Sequence, residues 1–222
     1  MRCKKNFWVT FVLVLMGVLL CVVKGMKTTV SVENNIEMKD IKKIALTFDD
    51  GPSAYTEELL DGLKIRNVKA TFFVIGKNAE KYQEIVVREV QEGHLVGNHT
   101  YSHVKLTQLD NHEAQIEVEK TSKILEELTQ KEVEYIRPPF GCWDDNYQKL
   151  GLLPVMWTVD PLDWMTKNTE EIVKKVVTKV KENDIILLHD CYQSSVDAAL
   201  QIVDQLQAKG FEFVTVEELL LE

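Results

Sequence analysis

The chain has 222 residues, 45% of them hydrophobic, and carries 26 Lys+Arg against 35 Asp+Glu for a formal net charge of -9. That composition suits one packed domain with an appendage and excludes a chain that is disordered by default. No Lys/Arg cluster interrupts the acidic body, which argues against a charge-driven grip on nucleic acid or another anionic polymer. A neutral or cationic substrate fits better.

The N-terminus is a different material from the rest. Arg2, Lys4 and Lys5 precede an uncharged run at residues 7–23, FWVTFVLVLMGVLLCVV. Its length reaches the lower end of the roughly 17–25 residues that cross a bilayer and exceeds the ~7–15 of a signal-peptide core. The basic flank predicts a cytoplasmic N-terminus and an exported remainder. CVVKGMK offers no small-x-small cleavage site, and Leu20 stands before Cys21 where a lipoprotein signal requires a small residue. An uncleaved single-pass signal anchor in the cell membrane is therefore expected over residues 1–25, in preference to secretion after cleavage. Residues 26–43 are polar, of mixed charge and without apolar periodicity, and read as a linker spanning at most about 60 Å. The domain proper is expected at 44–222, close to the outer membrane face. It holds two cysteines, Cys142 and Cys191, too few for a disulfide-stapled fold, and free thiols are the expectation.

From Ile44 onward, short β-type runs alternate with helical stretches. The runs are IALTF (44–48), ATFFVI (70–75), HLVGN (94–98), EYIRP (134–138), PVMWTV (154–159), DIILLH (184–189) and FEFVTV (211–216). Helices are predicted at Glu113–Leu128 and Ser195–Ala208. In the second, Ala199, Ile202, Val203 and Leu206 recur at i, i+3, i+4, i+7 as one apolar stripe. Seven strands alternating with helices imply parallel βα units. Roughly 180 residues are few for a full eight-fold barrel of about 250, so a smaller or irregular α/β barrel is expected.

In such barrels the chemistry gathers at the C-terminal ends of the strands. The residues just beyond each run are Asp49 and Asp50; His99 and His103 in NHTYSH; Arg137 and PPFG; Asp160, Asp163 and Trp164 in DPLDW; and His189-Asp190. Each has an ordinary explanation. The paired aspartates can form a turn that caps the next helix. RPPFG can be a rigid turn, DPLDW a capped helix start, and His189 a core histidine. His94 and His112 match no pattern and read as structural or solvent-exposed. Two imidazoles four residues apart on a helical face can, however, grip one ion, with Asp50 or Asp49 as third ligand and a position left for water.

Taken together, TFDDGP (47–52), HTYSH (99–103), RPPFG (137–141), DPLDW (160–164) and LLH (187–189) resemble, in order, the motifs of the polysaccharide deacetylases, the NodB-type domains of carbohydrate esterase family 4. The resemblance covers about residues 43–221. One departure is Phe140, where many members carry Tyr. It implies a distorted (β/α)7 barrel and a divalent metal on Asp50, His99 and His103, usually zinc, with cobalt or another divalent ion as the alternative. By the same resemblance Asp49 is the catalytic base, Arg137 positions it, His189 is the general acid and Asp163 orients His189. Phe140 would donate its main-chain N–H to the oxyanion, and Trp164 and Leu187 would line the slot for an acetyl methyl. The implied reaction is hydrolysis of N-acetyl groups on a glycan, with peptidoglycan preferred because of the expected location. The alternatives are O-deacetylation of a polysaccharide such as xylan and a non-catalytic carbohydrate-binding wall protein. Protein partners are not legible.

Overall fold

The computed structural model describes residues 42–221; the expected membrane segment at 7–23 and all but the end of the expected linker at 26–43 lie outside them. Among the described residues no helix is long and apolar enough to cross a membrane.

Seven strands run β1 Lys42–Asp49, β2 Thr71–Val74, β3 Leu95–Asn98, β4 Tyr135–Ile136, β5 Leu153–Pro154, β6 Ile185–His189 and β7 Phe211–Val214. The helices between them are α1 Thr56–Ile65, α2 Gly76–Lys81, α3 Gln83–Gln91, α4 Asn111–Thr129, α5 Thr169–Val177, α6 Gln193–Ala208 and α7 Val216–Leu220. Every strand pairing is parallel, in the order β5-β4-β3-β2-β1-β6, with β7 added on β1. This is an α/β half-barrel of parallel strands, and its strand count and connectivity fit a distorted (β/α)7 barrel.

β1 is the axis of the sheet. Its last six residues are all buried, as expected of a parallel strand covered on both faces. Ala45 pairs with Ile185 and with Val214, so β6 and β7 lie on opposite edges of β1. β7 takes residues 42–45 of one edge and β2 takes 47–49 above it, and that sharing distorts the barrel. The sequence expectation for the fifth strand, 154–159, needs correction. The strand is only Leu153–Pro154, and the chain then leaves the ladder until Val159 bridges to Ile186. The carbonyls of Val155 and Met156 turn instead to the buried Arg137 side chain, which requires acceptors more than the sheet requires a neighbour.

The helices form where their ends and faces dictate. α4 opens on a reciprocal capping box between Asp110 and Glu113, which satisfies two otherwise orphaned N–H groups. α6 buries the predicted stripe of Ala199, Ile202, Val203 and Leu206 completely. A fully buried Leu or Ile contributes about 1.5–3 kcal/mol, so Ile202→Asp alone would unseat that helix. Among the described residues Cys142 and Cys191 are free thiols, as expected.

Candidate active site

The C-terminal ends of β1, β3, β4 and β6 open into one cavity of about 410 Å³, lined among others by Asp49, Asp50, His99, His103, Phe140 and His189. Eight of the ten residues assigned roles from the sequence line it; the other two stand behind it, Arg137 against Asp49 and Asp163 against His189.

The two aspartates at the end of β1 have different surroundings. Asp49 is the last strand residue, 4% exposed, and its Oδ1 accepts a 2.9 Å hydrogen bond from Nη1 of Arg137. That guanidinium is fully buried, and it also donates to the Thr47 hydroxyl and to the carbonyls of Val155 and Met156. Burial pulls its pKa down while the Asp49 charge pushes it up. The Phe73 ring lies 4.3 Å below it, a face suited to a cation. Asp49 Oδ2 is left toward the cavity, 3.9 Å from Nε2 of His99.

Asp50 adopts a left-handed backbone, φ 70°, which turns its carboxylate away from Asp49's clamp. Its Oδ1 lies 3.4 Å from Nε2 of His99 and 3.2 Å from Nε2 of His103. Burial opposes its charge, but the hydrogen bond and charges of the neighbouring histidines prevail and hold its pKa below the ordinary value. The three donor atoms lie within 4.8 Å of one another. Two imidazole nitrogens and a carboxylate oxygen converging on one point fit a divalent cation with room for a further ligand. The second nitrogen of His99 strengthens the fit: Nδ1 lies 2.6 Å from the Arg137 carbonyl, which fixes the proton there and leaves Nε2 its lone pair. Burial, ahead of its charged neighbours, lowers the pKa of His103 and favours the neutral ring that a ligand needs.

His99 and His103 meet in a loop and not on a helical face. Residues 99–103 form an irregular loop with Thr100 and His103 in the left-handed region. Side chains take the place of helical bonds: Asn98 accepts from Thr100 N–H, and Glu117 accepts from Ser102 N–H. The imidazoles still meet, 5.0 Å between ring centroids, because the loop folds back rather than winding forward.

Across the cavity, both oxygens of the buried Asp163 engage His189. One faces Nδ1 at 2.8 Å and the other accepts from its main-chain N–H at 2.9 Å. Burial opposes a charged ring here, yet the Asp163 hydrogen bond and charge, with those of Asp49 and Asp50, carry His189 up to about 9. Nδ1 is occupied, so Nε2 is the nitrogen that can hand on a proton.

Phe140 sits in a tight turn, φ 61°, with its exposed ring 5.0 Å from that of His103. Gly141 and Cys142 donate to the carbonyls of Pro138 and Pro139, so the N–H of Phe140 is the one in that turn left over. Trp164 is half exposed at the rim and Leu187 is buried at the floor. Sequence reasoning missed Trp157 and Tyr192, which also line the cavity. Trp157 lay inside an apolar run that read as core. Tyr192, three residues past His189, opens α6 and belongs to no motif. His94 and His112 stand apart as expected: His112 is exposed, and His94 is buried with Nδ1 accepting from Ala70 N–H.

Sequence comparison places this geometry among known proteins. The family profile described as polysaccharide deacetylase matches residues 37–153. A peptidoglycan-N-acetylglucosamine deacetylase of Bacillus cereus is 42% identical over 183 residues, covering 78% of this chain and 66% of that protein. The peptidoglycan-N-acetylmuramic acid deacetylase PdaC of Bacillus subtilis is 41% identical over 180 residues, 80% of this chain but 38% of the relative, so the chain spans well under half of that protein. The solved structure of PdaC superposes with a TM-score of 0.80 at 39% identity, covering 82% of this chain and 91% of that one. Motifs, strand-end geometry and relatives agree: the chain belongs to the polysaccharide deacetylase family.

Proposed function

We propose that the chain is a metal-dependent N-deacetylase of peptidoglycan, tethered to the membrane by residues 1–25 through the linker at 26–43, with the catalytic domain at 44–222 outside the cell. The observation that carries it is the division of labour at the end of β1, where Arg137 holds one carboxylate and two imidazoles face the other. Asp50, His99 and His103 would hold a divalent ion, zinc in this reading, whose charge would lower the pKa of water and stabilise an oxyanion. Asp49 takes the proton of the attacking water on Oδ2, because Oδ1 is held by Arg137. The N–H of Phe140 donates to the oxyanion, a main-chain role indifferent to Phe or Tyr. His189, kept charged by Asp163, gives its Nε2 proton to the leaving amine, without which the C–N bond does not break productively. Leu187 and Trp164 enclose the methyl. The products are acetate and a free amino sugar.

The relatives' names, the neutral character of an acetamido sugar and the expected place at the membrane support peptidoglycan as substrate. The test is acetate release by the full chain in mild detergent from purified peptidoglycan, chitin oligomers and acetylated xylan, with and without zinc and beside Asp49→Ala. Zinc-dependent release from peptidoglycan, lost by roughly 10²–10⁴ in the variant, is expected for removal of a general base. Release from xylan alone would replace the reading by an esterase, and no release by the zinc-loaded chain would replace it by a binding protein.

A further inference from the structure

Asp190, directly after His189, belongs to none of the groups assigned a part above. It is fully buried, and its carboxylate is aimed back at the turn that follows the two aspartates of β1. A Cβ built on Gly51 would fall 2.7 Å from Cγ of Asp190 and closer still to both carboxylate oxygens. The carboxylate therefore occupies the space that any side chain at position 51 would require, and the residue after Asp50 has to be glycine. The Thr56 hydroxyl, at the first position of α1, donates a short hydrogen bond to Asp190 Oδ2 and accepts from Ser53 N–H at 2.8 Å. The Ser53 hydroxyl in turn donates to the Asp190 carbonyl at 2.6 Å.

These bonds close a ring from β6 to the Gly51-Pro52-Ser53 turn to the start of α1 and back. The turn is otherwise attached by the Gly51 carbonyl, which accepts from Ile75 N–H, and the Asp50 carbonyl, which accepts from Asn78. Asp50 itself stands in a left-handed backbone that its sequence type tolerates but does not impose. We propose that Asp190, through Thr56 and Ser53, is a positioning residue that latches this turn, and so sets where the Asp50 carboxylate stands relative to His99 and His103. Resting on the metal site proposed above, the latch couples the loop that bears the general acid to the loop that bears the ligand. Asp190 touches neither substrate nor metal.

The test is zinc affinity of the metal-free full chain, measured by competition with a chromophoric chelator, alongside kcat and KM. Thr56→Val keeps the shape and deletes the hydroxyl; it should weaken zinc binding at least about tenfold, the size of one lost buried hydrogen bond, and lower kcat with KM within about threefold. Thr56→Ser, which restores the hydroxyl, should recover both. Asp190→Asn keeps an acceptor for Thr56 and should hold zinc affinity within about threefold of the parent, whereas Asp190→Leu should lose it. Ser53→Ala is the milder variant and should weaken zinc a few-fold with melting temperature unchanged, so a folding failure of Thr56→Val leaves the idea open to refutation. Unchanged zinc affinity in Thr56→Val, or in Ser53→Ala where Thr56→Val does not fold, would overturn the latch. The zinc titration requires no turnover, so failure of the deacetylase reading leaves its outcome intact.

Discussion

The two sides of the cavity use the same side chain in opposite states. On the β3 side, burial lowers the pKa of His103 and keeps its ring neutral, beside His99, whose lone pair the Arg137 carbonyl aims at Asp50. On the β6 side, an imidazole that is more enclosed still is carried up to about 9 because both oxygens of Asp163 are spent on it. Desolvation is the leading influence on both histidines, so burial does not separate them. What separates them is the strength of the partner: at His103 the charges of Asp50 and Asp49 do not offset burial, whereas at His189 the hydrogen bond and charge of the buried Asp163 do.

Exchanging that partner should break the contrast. Asp163→Asn leaves a hydrogen-bonding amide of the same shape but removes the charge. His189 is charged below about 9 in the parent, so turnover should hold up to that region and fall above it as the proton is lost. In the variant the alkaline limb should move toward or below 6.5, and kcat at neutral pH should fall on the order of 10³-fold, within the range for a misplaced general acid. The linkage has the same sign: the pair's contribution to stability is complete below 6.5 and is lost as pH rises through about 9. A kcat–pH profile with an unmoved alkaline limb would separate Asp163 from the acid's protonation.

Arg137 sharpens the contrast, because it serves both sides of the ligand question at once. Its carbonyl orients His99 while its guanidinium holds Asp49, two residues of opposite task fixed by one residue at the end of β4. Arg137→Met would keep the stem and leave Asp49 buried without its counter-charge. Breaking a buried pair from one side costs about 3–5 kcal/mol, well above the median of a surface pair, and urea denaturation should register a loss near the lower figure. A loss under about 1 kcal/mol would mean that water replaces the guanidinium freely.

How much of this was legible in the sequence follows from what each feature depends on. Strand ends were legible because β1 and β6 are buried on both faces and read as apolar runs that stop at titratable residues. The proposed ligands and base were read through motif resemblance, since spacing alone left Asp49 and Asp50 interchangeable; the left-handed turn at Asp50 and the Arg137 clamp tell them apart. The form of the loop at 99–103 was not legible, because an i, i+4 histidine pair suits a turn as well as a helix and carries no mark of the Asn98 and Glu117 side chains that hold this loop. The fifth strand was overextended because apolar alternation at 154–159 reports burial, and there the backbone serves Arg137 instead of a neighbouring strand. Asp190 was passed over because its partner Thr56 is remote in sequence, and a contact of that kind leaves no local pattern.

A last carboxylate marks the limit of the contrast, since among the described residues it has no partner of either kind. Glu89 on α3 has no exposed surface, and among the described residues neither of its oxygens is hydrogen-bonded, in contrast to Asp163, whose two oxygens are both engaged. Burial first, and the Asp190 carboxyl second, push its pKa well above the ordinary value. For an acid raised on folding, the folded state favours the proton, so stability is greatest below the unfolded pKa and is lost as pH rises toward the folded value. Glu89→Gln removes the titration while keeping the length of the side chain. It should stabilise the fold by about 1–3 kcal/mol near pH 8, where the parent has to keep a proton on the buried carboxyl that the unfolded chain has lost, and the gain should shrink as pH is lowered toward 4.5. Urea midpoints of parent and variant across that range decide it: a difference that does not change with pH would mean that Glu89 finds a counter-charge in solution, and the rule that partner rather than burial sets protonation would then extend to this residue as well.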